Sequence, residues 1–95
     1  MLIRLTRITK NNNDFFLKEI FVNPSQISYL YEDDKMKKYL MEGMISFDLN
    51  RSTGFTKLKL ENAGRSEEFT VVGDPHLIEQ KIRQCLQNKR QLLKG

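Results

Sequence analysis

Ninety-five residues, with 16 lysines and arginines against 12 aspartates and glutamates for a net charge of +4, supply one domain with one modest core and no second domain. Hydrophobic residues at 39% and charged residues at 29% describe an ordinary soluble globule, and no apolar run approaches the roughly 20 residues of a membrane-spanning helix. A single cysteine, Cys85, and a single histidine, His76, exclude a disulfide framework and a Cys/His metal cluster.

The chain opens on Met1-Leu2-Ile3-Arg4, which sets a charge inside what would be the apolar part of a signal peptide, so the protein reads as cytoplasmic. Leu2 to Ile8 alternate imperfectly, as a strand partly buried on both faces does. Lys10 to Asp14 is turn chemistry and predicts a hairpin, because asparagine and aspartate tolerate left-handed backbone. Phe15 to Val22 returns as a second strand, with Phe16, Ile20 and Val22 on one parity and Phe15, Leu17, Glu19 and Phe21 on the other. Pro24 cannot donate to a ladder and interrupts it; the strand resumes at Ile27, with Ile27, Tyr29 and Tyr31 expected on one side and Ser28 and Leu30 on the other.

Glu32 to Lys38 sets opposite charges side by side and reads as a solvated loop or a short helical turn. After Gly43, Ile45, Phe47 and Leu49 alternate with Met44, Ser46 and Asp48, and Thr56 to Glu61 alternates again, Leu58 and Leu60 inward and Lys57 and Lys59 outward. These two runs are expected to pair as a hairpin across Asn50–Gly54. Asn62 to Ser66 makes the next turn, with Gly64 free to take positive φ, and Glu67 to Val72 is the last strand, with Phe69 and Val71 inward. The strand breaks at Gly73 and a helix spans 74–93, with Asp74 suited to the N-cap and Pro75 to the first turn, where a missing donor costs nothing. Ile78, Ile82, Cys85, Leu86 and Leu93 fall on its apolar stripe; Glu79, Arg83, Gln87 and Arg90 face away. The fold class is therefore α+β: a mainly antiparallel, curved sheet of about five strands with one C-terminal helix, a small partly open barrel being the alternative.

Ile3-Arg4-Leu5-Thr6-Arg7, the Val22-Asn23 step before Ile27, and Thr56, Leu58, Leu60, Asn62 and Gly64 followed by Phe69 and Val71 resemble the bacterial flagellar and swarming-motility family called FlbD or SwrD, whose relatives include phage proteins. The match spans most of the chain, and its distinctive part is the Leu5-Thr6-Arg7 start. The resemblance implies a non-enzymatic accessory protein acting through protein contacts, or a host-interaction protein in the host cytoplasm if phage-encoded. The chain departs from the family between Tyr31 and Phe55, where about two dozen residues replace a short hairpin connection; exchange of Glu32–Gly43 for a short Gly/Ser linker is expected to leave the rest folded.

No pattern of catalytic, metal-binding or cofactor-binding residues emerges. His76 stands one residue inside the helix start, and Glu67-Glu68 and Asp33-Asp34 read as solvated charges whose neighbours point to opposite faces. Gly73 alone makes no phosphate loop. The expected function is binding to a protein partner, with homo-oligomerisation through a strand edge in play; nucleic-acid binding by the basic helix is the alternative. Candidate contact residues are Lys35, Lys37, Lys38 and Tyr39 in the insertion and Arg83, Arg90, Leu92, Leu93 and Lys94 on the helix. For each basic group a solvated face is the competing reading, and for Lys57 and Lys59 it is protection of an edge strand.

Overall fold

The computed structural model describes residues 1–45 and 49–94, and side chains as far as Gln87. Asn12 sits at φ 59° and turns β1 (Ile3–Asn11) into β2 (Asp14–Val22), in unbroken antiparallel register from Asn11↔Asp14 to Ile3↔Val22. The Asn23 side chain accepts from the Ser25 N–H at 3.0 Å and caps a 3-10 turn, Pro24–Gln26, that leads into β3 (Ile27–Glu32). Asp33 then caps helix α1 (Asp34–Met41), its Oδ1 accepting from the Met36 N–H at 3.0 Å. A second hairpin joins β4 (Phe55–Asn62) to β5 (Arg65–Val72), with Ala63 and Gly64 at φ 51° and 80°, the twist that a two-residue hairpin turn favours. Helix α2 (Pro75–Lys94) starts as its sequence dictates: Asp74 Oδ1 accepts from the Leu77 N–H at 2.9 Å.

The strands form one antiparallel sheet in the order β2-β1-β5-β4-β3, open at β2 and β3, so no barrel closes. The central pair, β1 and β5, is in register at Arg7↔Val71 and Ile8↔Thr70. Because side chains alternate across a strand, the sheet has two buried faces. Ile3, Leu5, Val22, Leu58, Phe69 and Val71 pack under Ile78 and Cys85 of α2 on one. Ile8, Phe15 and Phe55 pack under Met36 and Leu40 of α1, together with Ile45, on the other. Each fully buried side chain, Phe55, Leu58, Ile78 or Leu5, contributes about 1.5–3 kcal/mol of apolar transfer energy.

Several expectations are corrected. Among the described residues there are two helices, not one, and the Glu32–Gly43 segment expected to be replaceable supplies Met36 and Leu40 to a core cluster. Both sides of β4 are taken by β3 and β5, and Met44, Ile45, Leu49 and Asn50 are not in strands; Ser46, Phe47 and Asp48 lie outside the described residues. Lys57 and Lys59 therefore guard no edge. Asp33 is buried rather than solvated, because its other oxygen accepts from the Thr70 hydroxyl. A bulge between Ile27 and Tyr29 puts Ile27 against the α2-side core, while the tyrosines pair with Lys59 and Lys57 on the opposite face. Leu86 is exposed, since the contact line of α2 runs through Ile78, Ile82 and Cys85 and Leu86 stands on its flank.

Candidate functional site

Two surfaces at opposite ends of the sheet combine exposed large side chains with unsatisfied pairing potential. The first is the free edge of β2. The two-residue turn makes Asn11↔Asp14 a hydrogen-bonded pair, so even-numbered residues of β2 bond to β1 and odd-numbered ones, Phe15 to Phe21, aim N–H and C=O outward. Along this edge Phe16 is 52% exposed, Phe21 60% and Leu17 38%. The strand holds no proline, and its charges are Asp14 at the turn and Lys18 and Glu19 on opposite faces at its middle, with Glu19 3.9 Å from Arg4. Alternation alone could have raised the signal: β2 is apolar on both parities, yet it buries only Phe15 on one face and Val22 on the other.

The second surface is the corner formed by β3 and β4 on the face that carries α1. Register sets Tyr29 beside Lys59 and Tyr31 beside Lys57. The two tyrosine rings stack with centroids 6.0 Å apart and planes at 29°, and Lys59 Nζ lies 5.6 Å from the Tyr29 ring. The Tyr29 hydroxyl donates to Glu68 at 2.5 Å; this bond, ahead of desolvation and the Glu68 charge, pushes the Tyr29 pKa up to about 12. Lys57 stands 4.0 Å from Glu68, and Lys59 3.2 Å from Glu61. Between this corner and α1 lies a cleft of about 230 Å³ lined by Lys10, Lys35, Tyr39, Lys57 and Thr70 over the buried Asp33.

The residues singled out in the sequence are not gathered into one site. Lys35 lines the cleft and Lys38 is exposed. Lys37 instead ties α1 to the following loop, donating to the carbonyls of Arg51 and Thr53 at 2.5 and 2.7 Å. Tyr39 packs on Phe15, centroids 5.6 Å apart, with Lys10 Nζ 4.6 Å from its ring. Arg83 lies on the other side of the sheet, 2.6 Å from Glu79, which neutralises that part of the basic flank of α2. The side chains of Arg90, Leu92, Leu93 and Lys94 lie outside the described residues. Among the described residues no three His, Cys, Asp or Glu side chains come together, and no helix is long and apolar enough to cross a membrane. His76 is exposed and Cys85 is buried.

The geometry is that of an open antiparallel sheet with an exposed β2 edge and an aromatic corner on β3 and β4. Comparison with known protein families, with curated proteins and with solved structures found no match for this chain.

Proposed function

We propose that this protein is a non-catalytic binding module of the bacterial or phage cytoplasm that works through protein–protein contact, with the free edge of β2 as its docking line. The carrying observation is a nine-residue edge strand without proline on which Phe16, Leu17 and Phe21 are exposed. Natural sheets blunt such an edge unless something pairs with it. The resemblance of the opening strand to the FlbD or SwrD family supports the same reading. A second copy is the occupant to which this edge is self-complementary. Antiparallel pairing about Glu19, whose backbone groups point outward, sets Leu17 of each copy opposite Phe21 of the other on one face. The two Glu19 carboxylates would meet at the axis, each with Arg4 close by.

Sedimentation over a concentration series tests this. The native chain should dimerise, Glu19→Pro should block pairing by removing an outward donor while sparing the bonds to β1, and Glu19→Gln should tighten it by relieving the like charges. A native chain that stays monomeric, or a Glu19→Pro variant that melts normally and still dimerises, overturns the assignment.

A further inference from the structure

All three tyrosines of the chain stand on one face of the sheet, although they come from β3 and α1. Tyr29 and Tyr31 are 44% and 48% exposed and stacked, and Lys57, the register partner of Tyr31, also lines the cleft that holds Lys35 and Lys10. Among the described residues, Lys10 and Lys35 make no ion pair, whereas Lys57 and Lys59 each stand within 4.0 Å of a carboxylate. The Glu68 bond holds the Tyr29 hydroxyl while Tyr31 stacks on that ring, so the pair stands as one fixed, exposed aromatic step.

We infer that this corner binds a short run of single-stranded nucleic acid, with bases against Tyr29 and Tyr31 and phosphates along Lys57, Lys35 and Lys10. The chemistry selects the ligand in two steps. Planar, exposed aromatic faces beside cations are what unstacked bases take, while a duplex keeps its base faces hidden. An acidic peptide would satisfy the lysines, but its carboxylates offer the tyrosine rings no aromatic face to stack on. Glu61 and Glu68 offset two of the lysines, so stacking carries more of the affinity than charge does. The tyrosine pair lies at the other end of the sheet from β2, and the lysines run from there across the α1 face as far as Lys10 of β1, leaving the outward backbone groups of β2 untouched.

Fluorescence anisotropy with labelled oligo-dT and oligo-U, on the full chain over a salt series, tests the inference. Binding should show a shallow log–log salt slope of about −1.4, as two uncompensated lysines on a single strand predict. Tyr31→Ala should weaken it about 5- to 100-fold, with Tyr31→Phe near native, and paired Lys10→Ala and Lys35→Ala should flatten the slope. Glu19→Pro should change nothing. The inference is overturned if neither oligonucleotide binds at low salt, if Tyr31→Ala binds as the native chain does while melting normally, or if polyglutamate competes as well as the oligonucleotide, which would assign the corner to an acidic peptide.

Discussion

Tyr29 and Asp33 show how far single side chains depend on neighbours remote in sequence. The Tyr29 ionisation, raised from 10.0 to about 12, means that the native state keeps a proton the unfolded chain has already lost. Its contribution to stability is therefore full below about pH 10 and disappears as pH rises toward 12. Ultraviolet titration of the phenolate band should show a tyrosine ionising near 12, and Glu68→Gln should bring that midpoint back toward 10.0. Asp33 serves two groups at once, the Met36 N–H and the Thr70 hydroxyl. Asp33→Ala removes a helix cap, about 1 kcal/mol, and strands a buried hydroxyl, about 1–3 kcal/mol more. Chemical denaturation should show that sum, and adding Thr70→Val should return part of it, because the orphaned group is then gone. The burial of Asp33 was not legible from sequence: Asp34 beside it and the lysines after it give the segment the look of solvated charge.

At the scale of elements, the two helices differ in how much of themselves they announce. α2 was readable because Asp74-Pro75 marks its start and Ile78, Ile82 and Cys85 repeat at helical spacing over two turns. α1 has eight residues and buries Met36 and Leu40, a single i, i+4 step that no periodicity test can separate from chance. Its importance is energetic nonetheless. Leu40→Ala should cost about 2–5 kcal/mol by opening a cavity over Ile8, Phe15 and Phe55, whereas Lys38→Ala on its exposed side should stay within about 0.5 kcal/mol in the same thermal melts. The joint between β5 and α2 is equally constrained. Gly73 holds φ +117°, its N–H donates to the Gly54 carbonyl at 2.8 Å, and a Cβ there would sit 3.1 Å from Leu77 Cδ2. Gly73→Ala should therefore lose about 1–3 kcal/mol, measured by denaturant midpoint at constant slope.

Across the whole molecule, the sheet is shared by both core clusters: Leu5 and Ile8 on β1, like Val71 and Val72 on β5, face opposite layers from the same strand. Substitutions on either side should accordingly lower one common unfolding transition, seen alike by circular dichroism and by tyrosine fluorescence. The five strands were legible in the sequence, since alternation is a local property, but the same alternation around Ile45 also predicted a strand where Met44, Ile45 and Leu49 form none. The order of the five was not legible, because nothing local tells β1 that its inner neighbour is β5, or brings Tyr29 and Tyr31 beside Lys59 and Lys57. The bulge after Ile27 hid even the facing of that pair. The seam between β1 and β5 also has a bearing on biosynthesis. A chain made from its N-terminus completes the β1–β2 hairpin early, but the strand that belongs beside β1 is finished only when Val71 has been added. Until then the hairpin waits with two open edges and the apolar side chains of Ile3, Leu5 and Ile8 uncovered, so the nascent protein is most prone to aggregate during translation of the residues between Val22 and Val71.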